Sequence, residues 1–183
     1  MGSRPPQDLG TNRLMKDFQI AVLSTGGTIE KTYDPFDGAL SNKFSVLDRM
    51  LGKLQLPGTR VVRVPLMNKD SMEMTEGDHE LIATTAQAMA KAYDAVVVVH
   101  GTDRLHITGE RTYAENPTPR VPIVFTGAMR PYELRDTDSV QNMTEAFLAA
   151  KLLEPGVWCV MHNTALAFPG VTKNRQTMSF ERL

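Results

Sequence analysis

The residues of this chain best suited to do chemistry stand in short blocks, each placed just after an apolar run. His100-Gly101-Thr102-Asp103 sets a hydroxyl beside a carboxylate at the mouth of a valine-rich run. Farther on, Gly170-Val171-Thr172-Lys173 carries a lysine. A lysine near a hydroxyl in a water-poor pocket can lose its proton and serve as a base, because desolvation disfavours the ammonium; the alternative is an ordinary solvated surface lysine. Ser24-Thr25-Gly26-Gly27-Thr28-Ile29 holds two glycines that allow a tight turn and close backbone approach to a ligand, or else a plain turn with threonines as local hydrogen-bonders. It is not a phosphate loop, since neither Gly-x-x-x-x-Gly-Lys nor Gly-x-Gly-x-x-Gly is present.

Two further blocks are more ambiguous. In Asn68-Lys69-Asp70-Ser71-Met72-Glu73-Met74, Asp70 and Ser71 are ordinary capping residues for the helix that follows. In Thr126-Gly127-Ala128-Met129-Arg130-Pro131, the arginine is better suited to tying down a loop or a subunit contact than to chemistry. The four histidines, His79, His100, His106 and His162, lack the spacing of a ligand set, so no metal and no cofactor are assigned.

These blocks need elements to position them. Phe18–Leu23, Val61–Leu66, Ala95–Val99, Val121–Phe125 and Val157–Met161 read as strands. Several are apolar on consecutive residues, the pattern of strands buried on both faces of a parallel sheet. The clearest helix is Thr75–Tyr93, capped by Thr75 with Glu76 and Asp78 in its first turn, its apolar stripe running through Leu81, Ile82, Thr85, Met89, Ala90 and Tyr93. A second, Asp138–Leu153, sets Val140, Met143, Phe147 and Ala150 on one face before Glu154-Pro155-Gly156 stops it. Shorter helices are expected near Ser45–Leu54 and Leu105–Glu115. Strand and helix alternate, which predicts a three-layer α/β sandwich with a mainly parallel, flavodoxin-like sheet. In such sheets ligands bind beyond the carboxyl ends of the strands, where the blocks above lie.

Composition narrows the function classes. The 183 residues suit one domain, and a chain of this size buries enough surface to fold without staples. One cysteine, Cys159, allows no intrachain disulfide, which fits a reducing, cytoplasmic compartment. Lys+Arg 20 against Asp+Glu 21 argues against nucleic acid or an anionic membrane as partner, and no apolar run reaches the length of a membrane span. A small molecule is the expected partner. Residues 1–15, rich in Pro, Gly and polar types, read as a mobile leader or a remnant of expression, leaving 16–183 as the catalytic domain.

Taken together and in order, Ser24-Thr25-Gly26-Gly27-Thr28-Ile29, Asp70-Ser71-Met72-Glu73-Met74, His100-Gly101-Thr102-Asp103, Gly127-Ala128-Met129-Arg130-Pro131 and Val171-Thr172-Lys173 resemble the bacterial-type L-asparaginase family. The resemblance implies the fold of that family's N-terminal domain and hydrolysis of L-asparagine to L-aspartate and ammonia, without cofactor or metal, through an acyl-enzyme. It gives Thr28 as the nucleophile and Tyr33, on a mobile loop, as the group that helps activate it. It gives Thr102, Asp103 and Lys173 as a second catalytic group, with Asp103 also holding the substrate amino group. By the same resemblance Asp70 and Ser71 grip the α-carboxylate, and the Ala128 backbone walls the amide pocket.

The residue types suit those roles. A threonine hydroxyl is a poor nucleophile until a neighbour takes its proton. Backbone N–H groups of the Gly26-Gly27 turn and of Thr102 are expected to stabilise the oxyanion, and the loop Glu30–Asn42 to close over the substrate. A homo-oligomer, dimer or tetramer, is expected by resemblance and by the commonness of such symmetry.

Three features depart from the family pattern. The chain reads as a short form without the usual second domain. Met72 replaces a polar residue that many relatives use for substrate, and Arg104-Leu105-His106 replaces a more acidic continuation. Two other functions therefore stay open: an asparagine- or aspartate-binding module without turnover, and the amidase part of an ammonia-supplying amidotransferase. Glutamine is expected to be a poor substrate.

Overall fold

A computed structural model describes residues 17–43 and 45–183. The reading of residues 1–15 as a leader lies outside the described residues. The chain runs β1 (Phe18–Gly26), β2 (Thr32–Asp34), β3 (Ala39–Ser41), α1 (Leu47–Leu51), β4 (Thr59–Lys69), α2 (Glu76–Ala90), β5 (Ala95–Val99) and α3 (Leu105–Glu115). It continues through β6 (Pro122–Thr126), α4 (Ser139–Leu152), β7 (Gly156–Met161), β8 (Thr164–Ala167), β9 (Val171–Asn174) and β10 (Ser179–Arg182).

The main sheet has the order β4-β1-β5-β6-β7-β8. The first five strands are mutually parallel and β8 alone is antiparallel, joined to β7 by a tight hairpin. Counting only the five parallel strands in chain order gives 2-1-3-4-5, the flavodoxin-like winding, and its switch point falls between β1 and β5. Helices cover both faces. Side chains of α2 and α3 pack with Ala21, Leu23, Val96 and Val98 on one side, and those of α1 and α4 pack with Ile20, Val22, Val97 and Val99 on the other. This double coverage is why the strands are apolar at consecutive positions.

The helix faces differ from the expected stripes. On α2, Leu81 is exposed, and Ile82, Ala83, Ala86 and Ala90 face the core with His79 and Gln87. On α4, Val140 is exposed while Ser139 and Asn142 are fully buried. Hydrogen bonds cause that rotation: Asn142 Nδ2 donates to the Gly127 carbonyl at 2.9 Å, which turns the helix's first polar residues inward toward the loop after β6. The start of α2 is as read, with a reciprocal capping box between Thr75 and Asp78.

The stretch Glu30–Asn42 holds a small hairpin, β2–β3, where only a polar loop was expected. Its base is tied to the sheet. Asn42 Nδ2 donates to the Gly27 carbonyl at 2.9 Å, and the Tyr33 N–H donates to Glu133 Oε2 at 2.7 Å. A second hairpin, β9–β10, packs Val171 and Phe180 into the core beside α3 and so carries Lys173 toward the sheet. Among the described residues no helix is long and apolar enough to cross a membrane.

Candidate active site

The exits of β1, β4 and β5 touch one another. Gly27 has φ 80°, and a Cβ placed on it would stand 2.3 Å from the Gly101 Cα; a Cβ on Gly101 would stand 2.6 Å from the Ser71 side chain. Backbone approach this close is open only to glycine. The same packing brings the exit of β6 alongside, with Gly127 set against the His100 carbonyl and the Thr102 methyl. The backbones that carry Thr28, Ser71, Thr102 and Ala128 therefore meet at the switch point, and a buried bond from Thr25 Oγ1 to the Val99 carbonyl, 2.9 Å, fixes β1 against β5.

Lys173 reaches this point from β9. Its Nζ donates to Thr102 Oγ1 at 2.8 Å and to Asp103 Oδ1 at 2.9 Å. The lysine side chain is only 7% exposed, so it is not a solvated surface cation. Thr102 is buried too, while Asp103 keeps one side toward solvent. A hydroxyl bonded to an amine nitrogen at this distance is placed for proton transfer between the two, and the carboxylate holds the amine in line.

Thr28 opens a single turn of 3-10 helix, Thr28–Glu30, that follows Gly27. Its side chain has no hydrogen-bond partner among the described residues, and neither has the Tyr33 hydroxyl, whose residue is 58% exposed. These two residues are thus not joined. Behind the turn lies a residue not anticipated as a site member: Glu30 is buried, accepts a hydrogen bond from Ser45 Oγ at 2.6 Å, and burial raises its carboxyl above the usual range. It links the two ends of the hairpin segment.

The expected oxyanion donors need one correction. The Gly27 N–H donates to the Lys69 carbonyl at 2.8 Å and is spent there. The N–H groups of Thr28 and Thr102 have no acceptor among the described residues and remain available.

Asp70 is engaged on both oxygens, accepting from the Met72 N–H at 3.0 Å and from Lys31 Nζ at 2.6 Å. It caps the short 3-10 turn Ser71–Glu73 and not, as its place before α2 suggested, that helix, whose cap is Thr75. Burial opposes its charged form, but the Lys31 ammonium and the Met72 N–H together keep its carboxyl below the usual range. Ser71 is buried at the glycine contact, whereas Met72 is half exposed. Arg104 uses its guanidinium to hold the Met74 carbonyl at 2.8 Å, which ties the start of α3 to this segment.

Ala128 is buried on a loop braced from behind by residues that the sequence did not mark. Asp138 accepts from the Met129 and Arg130 N–H groups, at 2.9 and 3.0 Å, from Asn142 Nδ2 at 2.9 Å and from His162 Nε2 at 2.7 Å. Burial disfavours its charge, but the Met129 N–H and His162 hold its carboxyl below the usual range. Arg130 ties the same loop down through Asp136. Among the described residues no group of three or more His, Cys, Asp or Glu side chains is arranged to hold a metal ion.

Comparison with known proteins agrees with this architecture. Residues 19–181 match the family model for asparaginase, N-terminal. A component of the glutamyl-tRNA(Gln) amidotransferase of Halobacterium salinarum is 33% identical over 147 residues, 79% of this chain and 34% of that protein. The L-asparaginase of Thermococcus kodakarensis is 28% identical over 157 residues, 85% of this chain and 47% of that one. The solved structure of the thermostable L-asparaginase from the same organism superposes with a TM-score of 0.81 at 25% identity, covering 90% of this chain and 51% of that one. The chain thus spans between about a third and a half of the length of these relatives. With the family model matched across nearly all the described residues and the same sheet in the solved structure, the chain belongs to the asparaginase N-terminal family.

Proposed function

We propose that the protein hydrolyses the side-chain amide of L-asparagine to L-aspartate and ammonia through a threonine acyl-enzyme. The observation that carries this reading is the buried Lys173–Thr102–Asp103 contact at the meeting of the strand exits. A family that includes L-asparaginases supports it.

In this reading the Thr28 hydroxyl attacks the amide carbon, and its proton passes to Tyr33 once the β2–β3 hairpin moves inward. The Thr102 N–H faces the oxyanion, a contribution of typically a few kcal/mol to the transition state. Tyr33 acts as a relay, giving its own phenolic proton to the leaving nitrogen as it takes the one from Thr28; the C–N bond breaks and ammonia departs. Water held by Thr102 then attacks the ester carbon; the water proton passes to the Thr102 hydroxyl, whose own proton goes to Lys173 in its neutral amine form, and Lys173 returns a proton to the Thr28 oxygen as the ester C–O bond breaks and aspartate leaves. Asp103 orients Lys173 and receives the substrate α-ammonium. Ser71 supplies a hydroxyl to the α-carboxylate, with Asp70 fixing the turn on which Ser71 sits, and Gly27 and Ala128 wall the pocket. The protein works in the cytoplasm as a homo-oligomer, a dimer or tetramer, with little action on glutamine.

A second reading is the amidase part of an ammonia-supplying amidotransferase. It is favoured by the glutamyl-tRNA(Gln) amidotransferase relatives, of which those from Halobacterium salinarum and Haloquadratum walsbyi are 33% and 35% identical to this chain where the L-asparaginase is 28% identical.

Direct ammonia release separates the readings. Purified protein given L-asparagine should release ammonia without any partner, and Thr28→Ala and Lys173→Met should each reduce kcat by about a hundredfold to ten-thousandfold while staying folded. Thermal stabilisation by L-asparagine with no ammonia would overturn hydrolysis in favour of a binding module. Ammonia release only after a partner protein is added would favour the amidotransferase reading.

A further inference from the structure

Beneath the Thr102 turn lies a run of buried polar groups that the proposed chemistry does not use. His79 Nδ1 lies 2.7 Å from Thr108 Oγ1, Thr108 Oγ1 lies 2.7 Å from His100 Nε2, and His100 Nδ1 lies 2.8 Å from the Gly101 carbonyl oxygen. The two imidazoles stack with centroids 6.3 Å apart and planes 16° from parallel. All three side chains are buried, on α2, α3 and the exit of β5.

The direction of every bond in this run is determined by its last member. A carbonyl oxygen can only accept, so His100 Nδ1 carries a hydrogen and donates it to Gly101. Burial keeps His100 neutral at physiological pH. Its Nε2 is then bare and accepts, which makes Thr108 the donor. Thr108 has one hydroxyl hydrogen, so its oxygen accepts from His79 Nδ1–H. His79 Nε2 is left as a bare, buried lone pair with no partner among the described residues. Both rings are therefore the Nδ1–H tautomer.

The consequence falls on the next peptide. The only cis bond in the described chain is Phe168–Pro169, so the Gly101–Thr102 peptide is trans and its N–H points opposite to its carbonyl. Holding the Gly101 carbonyl down toward His100 turns the Thr102 N–H, which has no acceptor among the described residues, away from the buried histidine.

We propose that His100, held as its Nδ1–H tautomer between the Gly101 carbonyl that accepts from Nδ1 and the Thr108 hydroxyl that donates to Nε2, is a positioning residue that aims the Thr102 N–H at the developing oxyanion. The kinetic part of this proposal rests on the hydrolytic reading above; the tautomer and peptide orientation do not. His100 touches no substrate, and its effect is on the transition state rather than on binding.

The test pairs spectroscopy with kinetics. In the wild-type protein, long-range 15N–1H correlation should show His100 and His79 protonated at Nδ1; protonation of His100 at Nε2 overturns the proposal. His100→Asn keeps a donor near the Nδ1 position, and His100→Leu removes it. The Leu variant should lower kcat by about ten- to a hundredfold with KM within twofold, the Asn variant should recover most of kcat, and the Gly101 carbonyl 13C shift should move only in the Leu variant. Equal losses in both variants, or none in Leu, overturn the proposal. If His100→Leu does not fold, Thr108→Val replaces it: mixed protonation of His100 and a reduced kcat, both restored in Thr108→Ser, support the relay, and an unchanged spectrum overturns it. A wild-type protein that releases no ammonia defeats the hydrolytic reading alone, since the 15N and 13C signals still decide the orientation.

Discussion

Gly27 and Gly101 meet backbone to backbone, so closely that a methyl group on the first would stand 2.3 Å from the Cα of the second. The contact joins the two strand exits flanking the switch point, and Gly27 also holds φ 80°, where an L side chain is strained. Gly27→Ala should therefore separate β1 from β5 at the site. The expected result is a loss of stability of about 1–3 kcal/mol from strain alone, and a fall in amide hydrolysis larger than that loss of stability explains. Urea denaturation and ammonia release on the same preparation check it; a variant with wild-type stability and turnover contradicts the contact.

Asp138 shows how a residue outside the recognisable motifs can control the site. It holds two N–H groups of the Ala128 loop, one side chain of α4 and His162 at once. Asp138→Ala leaves all four donors without that acceptor, and the expected loss is about 3 kcal/mol, since a buried donor left unpaired forfeits its desolvation cost. Amide exchange at Met129 and Arg130 should rise well before global unfolding. Unchanged protection at those two amides would show that the loop is held by something else.

The strands were legible because burial on both faces writes itself as consecutive apolar residues, and the crevice followed from the position of their carboxyl ends. The burial of Lys173 was not legible. It depends on Val171 and Phe180 packing a hairpin against α3, a contact between segments with no pattern of their own. Three-residue strands such as β2 and β3 are too short to show a period, so a polar run concealed them. Asn142, His79 and Thr108 were passed over for another reason: a polar residue on a helix reads as solvent-facing until its buried hydrogen-bond partner is known.

Cys159 gives a simple check on the core. It is buried on β7, and loss of hydration pushes its thiol far above the usual range. Only the thiolate reacts quickly, so a maleimide should leave the native protein unlabelled for hours at pH 7 and label it fully in denaturant. Rapid labelling without denaturant would mean that β7 opens on its own or is not in the sheet.

The response to acid should come in two stages with separate owners. Burial lowers His100 to about 4 from an ordinary 6.5, with His79 and His106 lowered by the same cause. Between those pH values the unfolded chain binds protons that the folded chain refuses, so stability falls as pH drops from about 6.5 to 4. For His100 alone the loss is on the order of 3 kcal/mol. Asp78 acts lower: its bond to Lys69 and the Thr75 N–H bring it to about 2 from 3.8, so its contribution is complete above pH 4 and is lost as pH falls toward 2. His100→Asn should flatten the upper stage without abolishing it. Asp78→Ala should shrink the lower stage, which the depressed carboxyls of Asp70 and Asp138 share, and cost about 1 kcal/mol at pH 7 through the lost cap. Urea midpoints measured from pH 8 to pH 2 for the three proteins distinguish the stages, and an upper stage unchanged in His100→Asn would reassign it to the other two histidines.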